Sequence, residues 1–273
     1  MKKIICPTDF TSTANNAVEY AAKLAQKMGA ELELFHAQLI YATDTVSPVI
    51  ASQNMLKLSE TLKRTATEVS KTFNIICNSS VESSDEELEQ AISDKSSEDT
   101  IIVMGTNGAD DVFEFIFGTN SYHVIKKTKC PVLLIPEGVQ YKEIKKMVFA
   151  WDYTKNNKLS FLQVKDFISA FSPEIVFLHV GQSNSTANID IFETLKSEMM
   201  SYLGDLEKVS FARIYLETPE TYSERIDNYI ENSNSDLLAV TFYERGFFGN
   251  LFHGGLVKGL TEIAGYPLLA LHM

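Results

Sequence analysis

The chain has no run rich in lysine or arginine, no close pair of cysteines and no stretch of about 20 apolar residues. Each absence excludes something. With 24 basic against 36 acidic residues, the net charge is −12. A surface so acidic repels a phosphate backbone, which argues against general nucleic-acid binding. Cys6, Cys77 and Cys130 are odd in number and widely spaced, and each sits in an apolar, strand-like run. None forms a CxxC pair or joins a His/Cys cluster, so they read as reduced core residues rather than disulfide or metal partners. The apolar run that opens the chain, Ile4-Ile5-Cys6, is too short for a secretion signal, and nothing is long enough to span a bilayer. The expected location is cytoplasmic. What remains is ordinary globular material, 45% hydrophobic and 22% charged over 273 residues, enough for two domains.

The chain repeats itself. Lys3-Ile4-Ile5-Cys6-Pro7-Thr8-Asp9-Phe10-Thr11 returns 143 positions later as Lys146-Met147-Val148-Phe149-Ala150-Trp151-Asp152-Tyr153-Thr154. Glu33-Leu34-Phe35-His36-Ala37 falls at the same offset on Val176-Phe177-Leu178-His179-Val180. Near the end of each copy, Lys129-Cys130-Pro131-Val132-Leu133-Leu134 matches Gly265-Tyr266-Pro267-Leu268-Leu269-Ala270 at an offset of 136. A shared offset across separated segments marks an internal repeat. The expected domains are residues 1–138 and 145–273, joined through a polar, Gly-containing stretch.

Each copy alternates short apolar runs with helical patterns. In the first copy the strands expected are Lys3–Cys6, Leu32–Ala37, Asn74–Cys77, Thr100–Met104 and Val132–Ile135. In the second they are Met147–Ala150, Glu174–His179, Phe211–Leu216, Leu237–Val240 and Leu268–Leu271. Between the first two, Ala14, Ala17, Val18, Ala21, Leu24 and Met28 recur at helical spacing, with Thr11 and Ser12 as N-cap candidates and Gly29 as the stop. Met55, Leu58, Leu62, Ala66, Val69 and Phe73 mark a longer helix. Nearly continuous apolar strands alternating with helices predict an α/β fold of two tandem, doubly wound parallel sheets.

In such sheets, ligands bind beyond the strand C-termini where strand order reverses. The residues there are Pro7-Thr8-Asp9, Ala37, and Met104-Gly105-Thr106-Asn107-Gly108, followed nine residues later by Gly118-Thr119-Asn120. Glycines after a strand let the backbone approach a ligand, and Gly118-Thr119-Asn120 opens a helical stretch whose N-terminus favours phosphate. The spacing is neither Walker A nor GxGxxG. Asp9 could equally cap the helix that follows, and Gly108 could be a turn glycine. His36 and His179, at strand ends beside apolar neighbours, read as structural; His123, His253 and His272 fit no pattern.

The arrangement Gly-x-x-Gly-x9-Gly-(Ser/Thr), preceded by a strand ending in Met and paired with Pro-Thr-Asp-Phe, resembles the ATP-binding type of the universal stress protein family. Gly105, Gly108, Gly118 and Thr119 fill every fixed position of that pattern. The resemblance covers the whole chain as two copies and implies a five-stranded sheet of order 3-2-1-4-5 in each. It implies that Pro7, Asp9 and Ala37 border adenine and ribose beside Met104 and Gly105, that Gly108, Gly118, Thr119 and Asn120 hold phosphates, and that Thr8 belongs to the same nucleotide site. It further implies that the last strands of the two copies pair, making the chain a pseudo-dimer in which homo-oligomers are optional.

Alignment through Pro267 puts Thr241 at the position of Gly105, Glu244 at Gly108, Gly254 at Gly118 and Gly255 at Thr119. Trp151 replaces Thr8 and Ala150 replaces Pro7, while Gly246 and Gly249 fall out of register. The second copy therefore reads as a structural or partner-binding domain. The expected function is an ATP- or AMP-binding regulator of the stress response with one site. Asp110, Asp111 and Glu114 lie in the glycine loop, which contains no lysine or arginine; they either recruit Mg²⁺ or leave a site suited to AMP. No nucleophile–base pair can be assembled, so no catalytic residue is assigned and slow ATP hydrolysis is the most that is allowed. A nucleotide-free scaffold is the alternative.

Overall fold

The computed structural model describes residues 2–39, 48–84, 88–106, 119–150, 158–181, 186–203, 208–217, 221–242 and 265–272. The chain divides into two compact units, Met1–Tyr141 and Lys142–Met273. Among the described residues, no helix is long and apolar enough to cross a membrane.

In the first unit the elements run β1 (Lys3–Pro7), α1 (Ser12–Met28), β2 (Glu31–Leu39), α2 (Pro48–Phe73), β3 (Cys77–Ser84), α3 (Leu88–Lys95), β4 (Thr100–Thr106), α4 (Thr119–Lys127) and β5 (Val132–Pro136). The strands lie in the order β3-β2-β1-β4-β5, all parallel. Helices α1 and α2 pack together, as do α3 and α4, so the central strands are covered on both sides. That explains their composition: Ile4, Ile5 and Cys6 of β1 and Ile101, Ile102 and Val103 of β4 are all fully buried.

Helix α1 shows how local sequence sets an element. Thr11 caps it by accepting a hydrogen bond from Ala14 N at 3.2 Å, and Gly29 ends it at φ 64°, its N–H donating to Ala25 O. Between the caps, Ala14, Ala17, Val18, Ala21, Leu24 and Ala25 form the buried face.

The second unit runs β6 (Lys146–Ala150), α5 (Lys158–Gln163), α6 (Lys165–Phe171), β7 (Glu174–Gly181), α7 (Thr186–Leu203), β8 (Val209–Tyr215), α8 (Tyr222–Ser233), β9 (Leu237–Phe242) and β10 (Leu268–His272). Its strand order, β10-β9-β6-β7-β8, is the same topology, again wholly parallel. Helix α8 starts on a capping box between Thr221 and Glu224 and ends on Asn234 at φ 49°. Behind it, Tyr266 donates a hydrogen bond to Asp227 Oδ1 at 2.8 Å, with both side chains buried.

One strand lies away from its expected place. The apolar run Asn74–Cys77 is not a strand; β3 begins at Cys77 and continues through the polar Asn78-Ser79-Ser80. Asn74 takes φ 51° and closes α2. Ile75 N then donates to Ser70 O at 3.2 Å, and Ser70 Oγ donates to Ile75 O at 2.6 Å. Ile76 is 59% exposed. As the outermost strand of its unit, β3 needs no continuous apolar sequence, and the helix stop borrowed the isoleucines that looked like one.

Candidate functional site

Strands β1 and β4 are neighbours, with Ile5 opposite Ile102, yet β1 is followed to β2 on one side and β4 to β5 on the other. Their C-terminal ends are thus the point where strand order reverses. A cleft of about 220 Å³ opens there. Pro7, Thr8 and Asp9 from the end of β1, Ala37 from β2, and Met104 and Gly105 from β4 all line it. These are six of the ten residues singled out in the sequence. Thr119 and Asn120 are the first two residues of α4. Gly108 and Gly118, with Asp110, Asp111 and Glu114, lie outside the described residues.

The wall contains groups the sequence did not point to. Thr13, Phe35, His36, Leu88, Thr106 and Ser121 also line the cleft. Thr8, Thr13, Thr106 and Ser121 are all buried polar residues. Thr106 Oγ1 is buried and has no hydrogen-bond partner among the described residues. No lysine or arginine lines the cleft among the described residues, and Asp9 is its one charged side chain. Such a wall suits a neutral polar ligand group with several donors and acceptors. The sequence signal for Thr106 and Ser121 was available in their position, directly beyond β4 and in the first turn of α4, but hydroxyl residues are too common there to stand out.

The turn from β1 to α1 is closed by side chains. Thr8 N continues the ladder to Phe35 O at 2.8 Å. Its Oγ1 accepts from Phe10 N at 3.1 Å, and its carbonyl accepts from His36 Nδ1 at 2.7 Å. Asp9 is exposed, and its Oδ1 accepts from both Thr11 N, at 3.0 Å, and Thr11 Oγ1, at 2.6 Å. Asp9 therefore does support the helix start, acting through the capping residue, while still bordering the cleft. His36 is structural in its bonding, as expected. His123, to which no role was given, pairs with Glu89 at 3.5 Å.

Gly105 borders the cleft, and packing gives a further reason for a glycine there. A Cβ there would stand 2.7 Å from Thr13 O and 2.9 Å from Thr13 Cγ2. What comes close is the first turn of α1, packed against the strand end.

All three cysteines are free. Burial pushes the Cys6 thiol far up and those of Cys77 and Cys130 up to about 11, so none is a thiolate near neutrality.

In the second unit the same register can be followed. Leu134 pairs with Met104 and Ala270 with Val240, so Thr241 holds the place of Gly105. Thr241 is 0% exposed and its Oγ1 has no hydrogen-bond partner among the described residues. Ala150 ends β6 as Pro7 ends β1. Trp151, Glu244, Gly246, Gly249, Gly254 and Gly255 lie outside the described residues.

In each unit the parallel strands run in the order 3-2-1-4-5, and the first has a cleft at its reversal point; this is the doubly wound α/β class. The profile of the Universal stress protein family matches residues 1–136. A universal stress protein of Methanocaldococcus jannaschii is 30% identical over 145 residues, taking in 49% of this chain and 81% of that relative. The chain belongs to the universal stress protein family. Among solved structures, a universal stress protein from Archaeoglobus fulgidus DSM 4304 aligns over 99% of this chain and 98% of its own, with TM-score 0.76 and 17% identity. A putative universal stress protein from Pseudomonas aeruginosa UCBPP-PA14 covers 100% of this chain and 93% of its own at TM-score 0.60 and 13% identity. At those identities the likeness is one of fold, and it extends through both units.

Proposed function

We propose that this protein is a stress-response regulator that binds one adenine nucleotide, ATP or AMP, in its first unit. The observation that carries the reading is the cleft between the ends of β1 and β4, around which Pro7, Thr8, Asp9, Ala37, Met104 and Gly105 gather. Its hydroxyl-rich wall, with no lysine or arginine among the described residues, suits a base and ribose better than a triphosphate. At about 220 Å³ it is smaller than the 300–1,000 Å³ typical of whole-ligand pockets, as expected of a site for one end of a ligand. The phosphates would then fall to the segment from Gly108 to Asn120, where the N-terminus of α4 supplies free N–H groups.

That segment brings Asp110, Asp111 and Glu114 but no cation of its own. We propose that Mg²⁺ would offset this: Asp110 and Asp111 would help hold it, and it would neutralise phosphate charge. ATP affinity then falls sharply on adding EDTA, and Asp110→Asn with Asp111→Asn removes the Mg²⁺-dependent part. Tighter ATP binding by that double variant without metal would show the carboxylates to be merely repulsive and the site one for AMP.

The direct test is mass spectrometry of any small molecule released on denaturing the purified protein, followed by calorimetry with ATP and AMP. One nucleotide per chain is expected, and Gly118→Val should abolish binding without unfolding the protein. Unchanged affinity in that variant removes the site, and two equivalent sites per chain contradict the reading of the second unit.

A further inference from the structure

We propose that His36 is a positioning residue of the cleft: its imidazole holds the β1–α1 turn, and so Pro7, Thr8 and Asp9, in the geometry that receives a ligand. The inference rests on the nucleotide reading above and adds to it a residue that does its work through the turn.

Thr8 is fixed by all three of its polar groups. Its N–H donates to Phe35 O, its Oγ1 accepts from Phe10 N, and its carbonyl accepts from His36 Nδ1 at 2.7 Å. A carbonyl only accepts, so Nδ1 carries the hydrogen. Phe10 sits at φ 67°, a region that a large L side chain rarely enters. Its surroundings hold it there. Its N–H is bound by Thr8 Oγ1, Asn15 Nδ2 donates to its carbonyl at 3.4 Å, and its ring packs 5.2 Å from the His36 ring. The other side-chain bonds of the turn join residues no more than five apart, whereas the His36–Thr8 bond spans 28 residues. Among these side-chain bonds it alone ties the strained turn to β2. Without it the turn keeps its internal bonds and the Thr8 N–H bond to Phe35 O but loses its side-chain tie to β2, and the wall formed by Pro7, Thr8 and Asp9 loosens.

Two substitutions separate the parts of this tie. His36→Asn places an N–H donor near the position of Nδ1 and removes the ring; His36→Phe keeps a ring for Phe10 and removes the donor. Calorimetry with AMP and with ATP on the full chain is expected to show His36→Phe about five-fold weaker or worse, the loss of roughly one hydrogen bond. His36→Asn should stay close to wild type. In protein without nucleotide, hydrogen exchange at the Phe10 and Thr11 amides should quicken in His36→Phe and not in His36→Asn. Nitrogen chemical shifts of wild-type His36 should report the Nδ1–H tautomer. Unchanged affinity in His36→Phe overturns the inference, and so does equal weakening in both variants, which would mean that the imidazole acts on the ligand itself rather than through the turn. An Nε2–H tautomer in the wild type overturns it without any variant. A wild-type protein that binds neither nucleotide sinks the functional reading, and this inference with it; the two failures are told apart by whether the wild type binds.

Discussion

Gly105 has no positive φ to explain it, yet there is no room for any other residue. Its missing Cβ faces the carbonyl of Thr13 at 2.7 Å, and a backbone atom cannot swing aside as a side chain can. Gly105→Ala is expected to cost about 1–3 kcal/mol, the usual range for overpacking. Thr13→Ala should not rescue it, because the closest atom belongs to the main chain. Urea unfolding of the two variants and their combination checks both statements. The same residue shows what a sequence makes legible. A glycine after a strand announces a close approach, but the letters do not say what approaches. Asp9 is a parallel case: its position marked the cleft and its type marked a cap, and it serves both.

Among the elements, those fixed by local rules were the most legible. Thr11 and Gly29 delimit α1 because capping is decided within four residues. The buried strands of the first unit stand out because two covered faces demand unbroken apolar sequence. Strand β3 did not, since an edge position relaxes that demand while the stop of α2 used Ile75 and Ile76. The tie between α8 and the start of β10 was equally invisible, for Asp227 and Tyr266 lie 39 residues apart. Burial raises the Asp227 carboxyl, opposed by the Tyr266 hydrogen bond and reinforced by Glu231. The net shift is upward, so the folded state holds this proton more tightly than the unfolded chain. The corresponding stability is complete below the unfolded carboxyl range, near pH 4, and is lost as pH rises through the folded value. Tyr266→Phe should therefore cost about 1–3 kcal/mol at pH 7.5, where it leaves a buried carboxylate without its donor, and less at pH 4.5. Asp227→Asn should remove that group's share of the pH dependence and keep an acceptor for Tyr266. Urea midpoints at the two pH values decide.

At the scale of the molecule, the repeat was plain because both copies keep the same strand-end signatures. The divergence between them was plain only in part. Glu244 stood out as a charge where the first copy has Gly108, and a carboxylate at roughly 4 Å from a phosphate repels it by about 4 kcal/mol at an effective dielectric near 20. The change at Thr241 looked minor in the sequence. Its weight comes from the register, which puts a buried Cβ, methyl and hydroxyl where Gly105 tolerates none. A turn placed over Thr241 as α1 is placed over Gly105 would meet that side chain. Glu244→Gly alone should therefore leave calorimetry at one nucleotide per chain. A second binding event from that single change would contradict this account.

The Gly105–Thr241 pair also bears on history. Two copies that began alike can lose a function by one charge and regain it by one reversal, as long as the surrounding packing stays the same. Once a strand position under a helix has gained a side chain, neighbours adjust to the new spacing, and each adjustment makes a return to glycine a worse fit. Such a change works as a ratchet. It sets the two units apart: the first is held to glycine at this position by the turn of α1 over it, and the second is not.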